Sequence, residues 1–331
     1  VTQLTWRNGL DGNETAEVMG LLSEVEDADG VAPAGEHVIL RLQAHRGIVE
    51  QIEPVQADVG GSEHFVVRGA DGVLAGYAHL DTAEEADGGA LVAELAVHPQ
   101  HREQGIGAKL IEALLERANL PTLPDVQVRP TEDGPAGTVT GRLRIWSHGE
   151  HPGALRLAER FGFTRFRELW RMGRELAGNE LPQAELPDGV TIRAFTAGQD
   201  EAAVVRVNHR AFWWHPEQGG MTEQDLLDKQ QQDWFDPAGF LLALDDSGEL
   251  LGFHWTKVHP DGIGEVYVIG VDPEARGSGL GRSLTVAGLR HLQEVGCGQV
   301  MLYVEGDNGP AIRVYERLSF RRWDIDVQFG R

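Results

Sequence analysis

Arginine and glycine recur in this sequence at a spacing suited to holding an anion. Arg102-Glu103-Gln104-Gly105-Ile106-Gly107 and Arg276-Gly277-Ser278-Gly279-Leu280-Gly281 share the pattern Arg-x-x-Gly-x-Gly. Each lies between a stretch that reads as a strand and one that reads as a helix. Glycines there let the backbone come close to a ligand, and the start of the helix offers unpaired N–H groups and a partial positive charge. Together they form a cradle for a pyrophosphate, to which the arginine adds charge unless it packs structurally. A dinucleotide fold needs Gly-x-Gly-x-x-Gly. The spacing Gly277-x-Gly279-x-Gly281 differs, and the strand ends at Val271-x-Pro273, well before the glycines, so that reading is set aside. An ordinary glycine turn explains one copy but not two.

The elements around the turns repeat as well. Val97-His-Pro-Gln-His-Arg102 matches Val271-Asp-Pro-Glu-Ala-Arg276, and Ala154-Leu-Arg156-Leu-Ala-Glu159-Arg160-Phe-Gly-Phe163 matches Ala311-Ile-Arg313-Val-Tyr-Glu316-Arg317-Leu-Ser-Phe320. Repetition of this kind marks two copies of one supersecondary unit. Leu120 to Thr138, rich in Pro and Gly, is an insertion in the first copy and reads as a surface loop. Leu176 to Gly189 reads as a linker, giving domains at 1–178 and 179–331 of ordinary size. In the second half, Phe240–Leu244, Leu250–Val258, Glu265–Val271, Val300–Val304 and Phe320–Val327 read as strands. Leu280–Glu294 reads as a helix, and a second helix is capped by Asn308, carries Pro310 in its first turn and runs to Leu318. The first half shows the same order: strands at Val73–Leu80, Leu91–Val97, 143–147 and 163–170, helices at 106–118 and 153–161. The expected class is α/β, each domain a mixed sheet flanked by helices.

Composition narrows the partners. Across 331 residues there are 52 acidic and 29 basic side chains, a formal net charge of −23. Such a surface repels nucleic acid and anionic lipid but leaves room for a local anion site. One cysteine, Cys297, permits no intrachain disulfide and fits a reducing cytoplasm. Val1–Leu10 lacks the pattern of a signal peptide, and no apolar run approaches 18 residues. The expectation is a cytoplasmic monomer with no metal: His209, His215, His254 and His259 show no metal-ligand spacing.

Val-x-Pro-x-x-Arg-x-x-Gly-x-Gly resembles the acetyl-CoA-binding motif of the GCN5-related N-acetyltransferases, the GNAT family. Asn308 to Phe320 resembles their second coenzyme-facing helix, and both halves match. The resemblance implies acetyl-CoA as co-substrate, one in each domain. It would lie against Leu95, Ala96, Val97 and Arg102–Gly107 in the first, and against Ile269, Gly270, Val271, Arg276–Arg282 and Asn308, Gly309, Pro310, Ala311, Ile312 and Arg313 in the second. Four further motifs resemble one tandem-domain branch of the family, which acetylates the cysteinyl amine of a thiol glycoside. They are Phe253-His-Trp-Thr-Lys257-Val-His-Pro, Gly264-Glu265-Val-Tyr-Val-Ile-Gly-Val271, His215-Pro-Glu217-Gln-Gly-Gly220 and Leu302-Tyr303-Val-Glu305. That resemblance places the acceptor against Glu217, Lys257, Glu265 and Tyr303, with Glu36 contributed by the first domain.

Aligning the repeats separates their chemistry. Transfer to an amine needs a proton acceptor, and a carboxylate on the strand before the glycine turn supplies one. Glu265 lies six residues before Val271; counting back equally from Val97 gives Leu91. A departing thiolate needs a proton, and Tyr315 in the second coenzyme helix is a donor whose counterpart is Ala158. The second domain is therefore expected to be catalytic, through Glu265 and Tyr315, and the first to bind acetyl-CoA without turnover. Glu265 at a solvent-facing strand start and Tyr315 as a core aromatic are the alternatives. Glu94 aligns with Val268 and is expected on the strand face opposite the base position. Cys297 reads as packing. A tandem enzyme for another amine, an aminoglycoside or a protein N-terminus, and a non-catalytic acyl-CoA sensor are the competing functions.

Overall fold

The structure, a computed structural model, describes residues 6–42, 61–82, 90–120, 142–213 and 218–331. By contact the chain forms two compact units, residues 1–168 with 325–331, and residues 169–324.

The first unit carries α1 (Gly12–Asp29), β1 (Ser62–Arg68), β2 (Leu74–Asp81), β3 (Leu91–Val97), α2 (Ile106–Arg117), β4 (Leu143–Ser147) and α3 (Pro152–Arg160), followed by the start of β5 (Thr164–Glu175). Strands β1, β2 and β3 pair antiparallel in order, and β3 pairs parallel with β4. The parallel step needs a crossover, which contains α2. Asp11 starts α1 with a capping box, accepting from the N–H of Asn13 and Glu14. Val18, Leu21, Leu22 and Val25 of α1 bury against Leu74, Tyr77 and Ala96 of the sheet. Helix α2 buries Ile106, Leu110, Ile111, Leu114 and Leu115, the stripe expected of a helix laid on a sheet.

The second unit carries β6 (Thr191–Ala194), α4 (Glu201–Ala211), α5 (Glu223–Gln230), β7 (Phe240–Leu244), β8 (Leu250–Val258), β9 (Gly264–Val271), α6 (Leu280–Glu294), β10 (Gln299–Glu305) and α7 (Gly309–Arg317). Strands β6 to β9 are successive antiparallel neighbours, and β9 runs parallel to β10. One sheet face, with Val266, Leu302 and Val304, packs with Val286, Leu289 and Tyr315 of the helices. On the other, Phe240, Phe253, Trp255 and Val268 pack with Val204, Val207 and Leu226.

The strand that ends each half of the sequence completes the other unit's sheet. Within the second unit, Leu169–Glu175 of β5 pair antiparallel with Glu305–Gln299 of β10. Within the first, Val327–Gly330 of β11 (Arg321–Gly330) pair antiparallel with Ser147–Arg144 of β4. The strands expected at 163–170 and 320–327 therefore form, and both run on beyond those ends. Leu176–Gly189, expected as a linker, has neither helix nor strand but is fastened to the second unit. Leu176 and Ala177 donate to the Gly298 carbonyl at 2.8 and 3.0 Å, and Arg290 to that of Pro182 at 2.8 Å. The compact division by contact falls at Glu168–Leu169, and paired backbone holds this stretch to the second unit. The insertion expected after Leu120 lies, from residue 121, outside the described residues. Among the described residues no helix is long and apolar enough to cross a membrane.

Candidate active site

Both Arg-x-x-Gly-x-Gly turns are built alike. His98 and Asp272, just past β3 and β9, accept from the N–H two residues on, at 3.2 and 2.9 Å. Each caps a single 3-10 turn, Pro99–His101 or Pro273–Ala275. Gly105 and Gly279 then sit at φ 81° and 89° immediately before α2 and α6, and neither helix has a side-chain cap. The N–H groups of the first turn are thus left for a ligand in α2, and in α6 those after Leu280, whose N–H donates to Ser278 Oγ at 3.4 Å, next to the positive end of each helix. The arginines are tied to the elements beside the turns. Arg102 donates to both carboxylate oxygens of Asp29 at 2.7 Å, and Arg276 to the Ala211 carbonyl at 2.9 Å.

The parallel strands beside each turn pair only part of the way. The β3–β4 register runs from Leu91↔Leu143 to Glu94↔Trp146, and the β9–β10 register holds Gly264↔Val300 and Glu265↔Met301. Beyond these points Leu95–Val97 and Val266–Val271 are unpaired on that side, leaving a strand edge that can bind amides. In the first unit the gap opens into a cleft of about 950 Å³ lined by Leu95, Val97, Gly105, Gly107, Leu157 and Ala158. A ligand with an amide-bearing arm and a diphosphate fits this arrangement, with the arm along the strand edge and the diphosphate at the helix start. Asn308 caps α7 as expected, its Oδ1 accepting from the Ala311 N–H at 3.2 Å, and His151 does the same for α3 through Gly153 at 3.1 Å.

Glu265 stands at the last pair before the β9–β10 gap and is 7% exposed. Its counterpart in the first unit is Val92, not the expected Leu91. Gly252↔Val271 and Gly76↔Val97 are equivalent pairs, and five residues along β8 and β2 lie Lys257↔Glu265 and Asp81↔Val92. The difference is a bulge: Trp255 pairs with Val268 and Thr256 with Val266, so Tyr267 is an extra residue in β9. The bulge also overturns the expected facing. Val266 packs on the α6–α7 face and Val268 on the α4–α5 face, so Glu265, adjacent to Val266, shares the face of Val268. Glu94, the counterpart of Val268, therefore lies on the same face as the base position.

Glu94 is enclosed, however. Its Oε2 accepts from the Gly35 N–H at 2.6 Å, and His37 and His148 approach at 3.6 and 3.5 Å. His148 in turn meets Asp326 of β11 at 3.0 Å, and Asp326 also accepts from the Gly149 N–H at 3.0 Å. Burial alone would raise the Glu94 carboxyl, but the His148 imidazole and the other partners hold it at about 2. Burial alone would lower His148, but Asp326 and Glu94 push it up to about 10. A carboxylate so firmly held is a weak proton acceptor.

Tyr315 packs against Phe320 with ring centroids 5.7 Å apart and belongs to the α6–α7 face of the core. Burial pushes its phenol up to about 12, so it keeps its proton. Among the described residues no group hydrogen-bonds its hydroxyl. Lys257, opposite Glu265, is 7% exposed, its Nζ 4.7 Å from the Trp234 ring and 5.2 Å from the Tyr267 ring. Tyr303 alternates on β10 with the core residues Leu302 and Val304, so it projects from the other face, that of Glu265. Glu36 is an exposed residue of the first unit, at the start of a helical stretch over 36–42. Glu217 lies outside the described residues. Cys297 is buried in the core, as expected, and burial pushes its thiol up. Among the described residues there is no cluster of metal-ligating side chains.

Sequence reasoning missed one partner of the candidate base. His259 Nε2 lies 2.8 Å from Glu265 Oε2. The signal was the five-residue hairpin His259-Pro-Asp-Gly-Ile263, which returns the chain so that residues 259 and 265 meet.

Comparison with known proteins agrees with the repeat. Residues 208–320 match the acetyltransferase (GNAT) family and residues 61–165 an acetyltransferase (GNAT) domain. The chain is 71% identical to the mycothiol acetyltransferase of Saccharopolyspora erythraea, over 95% of this chain and 100% of that one. It is 51% identical to that of Actinosynnema mirum over 100% of both. A GCN5-related N-acetyltransferase from Sphaerobacter thermophilus has a similar fold, with a TM-score of 0.68 at 23% identity over 100% of this chain and 96% of that one. So does a tandem GNAT protein from the clavulanic acid biosynthesis pathway, with a TM-score of 0.66 at 19% identity over 99% and 98%.

Proposed function

The chain belongs to the mycothiol acetyltransferase family of tandem GNAT proteins, and on that premise we propose that it acts as a mycothiol synthase. It N-acetylates the cysteine amine of desacetylmycothiol, the cysteinyl-glucosamine-inositol, giving mycothiol and CoA. The observation that carries this reading is the identity of 71% to a mycothiol acetyltransferase along 95% of the chain.

Residues 179–331 carry the chemistry. Acetyl-CoA lies with its diphosphate at the Arg276–Arg282 turn and its arm along Ile269–Val271, beside Asn308–Arg313. The backbone N–H groups of the open β9 edge polarise the thioester carbonyl, and the transfer is direct, from thioester to amine. Glu265, at the mouth of the gap, takes the amine proton as nitrogen attacks. Tyr315 approaches from the other face and gives its proton to the departing sulfur. Lys257 and Tyr303, on the face of Glu265, hold the acceptor together with Glu217.

Residues 1–178 bind a second acetyl-CoA, at Leu95–Val97 and Arg102–Gly107, without turnover. Val92 and Ala158 supply neither base nor acid, and the carboxylate nearest the mouth, Glu94, is tied up. No step needs a metal.

Two measurements test this. Incubation with acetyl-CoA and desacetylmycothiol is expected to yield the N-acetyl product, with aminoglycosides and N-terminal peptides reacting at least about 100-fold more slowly, a ratio that a site built to pair with polar groups of its acceptor reaches. Equal turnover of any of these amines would overturn the substrate assignment. Calorimetry is expected to find two acetyl-CoA molecules per chain, falling to one in Gly107→Val, whose branched side chain would stand in the cleft that Gly107 lines. A stoichiometry of one in the unaltered protein would remove the first site.

A further inference from the structure

We propose that His259 is a positioning residue for the reaction, holding the Glu265 carboxylate with one oxygen occupied and the other directed to the acceptor amine. The inference rests on the assignment of Glu265 as base and extends it to a residue with no part in that assignment.

A buried carboxylate is stable as an anion only where donors replace the water it has lost. Glu265 is 7% exposed, and among the described residues its side chain receives one hydrogen bond, from His259 at 2.8 Å to Oε2. An ionised carboxylate only accepts, so the hydrogen of that bond sits on Nε2, and the imidazole is the donor. With Oε2 taken, Oε1 is left as the oxygen that receives a proton. Carboxylate torsions are broad, so without this bond the carboxylate plane turns and the reactive orientation is only part of the population.

The backbone holds the imidazole in place. His259 follows the last residue of β8. Its N–H donates to the Ile263 carbonyl at 2.9 Å, and its own carbonyl accepts from Gly262 at 2.9 Å. The Asp261 carboxylate accepts from the Ile263 N–H at 3.0 Å, closing the loop from inside. Pro260 restricts His259 to extended backbone. The result is a short, doubly tied hairpin from which the imidazole reaches across to β9. Its side chain is 25% exposed, against 9% for that of Glu265, so it also forms the outer wall of the carboxylate site.

The test uses the full chain with acetyl-CoA and desacetylmycothiol. His259→Phe is expected to lower kcat by about 10-fold, with both KM values and acetyl-CoA affinity within about twofold, the range of a modest loss in proton transfer. His259→Gln, whose amide still donates, is expected to keep most of kcat. His259→Asn, too short to reach Oε2, serves as a second removal should the phenylalanine disturb the loop. The deciding measurement is the double variant: in Glu265→Gln, His259→Phe is expected to add no further loss, because residues acting through one group are not additive. An unchanged kcat in both removals, or the same fold loss with and without Glu265, would overturn the inference while leaving the base in place. A fully active Glu265→Gln would instead remove the base itself and this role with it.

Discussion

Glu103 and Gly277 occupy the same step of the two glycine turns, and both have positive φ, 60° and 84°. The turn demands a left-handed residue after its arginine, whatever the sequence supplies. A residue with a Cβ is strained there by roughly 1–2 kcal/mol, against about 0.5–1 kcal/mol for the extra chain entropy of glycine. The Glu103 side chain is 88% exposed and only brushes Arg156 at 4.0 Å, a contact of little value. Glu103→Gly is therefore expected to stabilise the first unit by about 0.5–1 kcal/mol in urea unfolding, and Gly277→Ala to destabilise the second by a similar amount. A neutral or destabilised Glu103→Gly would show that its side chain contributes something the geometry does not reveal.

The Glu94–His148–Asp326 chain gives the first unit a defined pH signature. His148 is raised from 6.5 to about 10, so its contribution is complete below 6.5 and is lost as pH climbs to 10. Glu94 is lowered from 4.5 to about 2, so its contribution is complete above 4.5 and is lost as pH falls to 2. Between pH 4.5 and 6.5 both act in full. His148→Gln is expected to destabilise the first unit by on the order of 3 kcal/mol at pH 6, as breaking a buried pair does, and by clearly less at pH 9.5. A penalty that is the same at both pH values would mean that His148 acts by packing alone.

Removal of the base should be partly offset by pH. The acceptor is an α-amine, with a reference pKa of about 7.7–8.0. Glu265→Gln is expected to slow turnover by about 10²–10³-fold at pH 7 and to regain part of that as the amine becomes neutral at higher pH. Wild-type turnover at pH 7 would take Glu265 out of the mechanism.

Tyr315→Phe separates acid catalysis from packing more cleanly than the sequence suggested. Because no described residue hydrogen-bonds the hydroxyl, its removal strands no partner, and Tm is expected to stay within about 1 °C, under the roughly 2–4 °C that 1 kcal/mol causes in a domain of this size. The ring stays against Phe320, so acetyl-CoA affinity is expected to hold. Turnover is expected to fall by about 10- to 100-fold, the lower end for acid–base groups. With the phenol pushed up to about 12, the rate of the unaltered enzyme should show no loss of this acid up to pH 10. A fully active Tyr315→Phe would end the assignment.

Regular elements were legible wherever pattern and boundary signals agreed. Phe240–Leu244 and Leu280–Glu294 form as expected, the first ended by the Asp245-Asp246-Ser247-Gly248 turn and the second begun by Gly279. The bulge at Tyr267 was not legible. It adds one residue to β9 without disturbing the Val-x-Pro-x-x-Arg spacing, so counting back from Val97 as far as Glu265 lies from Val271 gave Leu91 where register gives Val92. The enclosure of Glu94 was equally hidden, since Gly35, His148 and Asp326 are 59, 54 and 232 residues away along the chain.

By itself the sequence determined the repeat, the two glycine turns and which half carries Glu265 and Tyr315, the residues proposed as base and acid. These depend on local spacing: a glycine before a helix start, a carboxylate on the preceding strand, a tyrosine two turns into a capped helix. Only the tertiary structure decided which strand completes which sheet. Alternation makes Thr164–Glu175 and Arg321–Gly330 strands but does not name their partners, because backbone hydrogen bonds are the same for any neighbour. Pairing of Leu169–Glu175 with β10 and of Val327–Gly330 with β4 follows from which open edge the strand reaches once the chain is packed. The same packing brings Asp326, from the end of the chain, to His148.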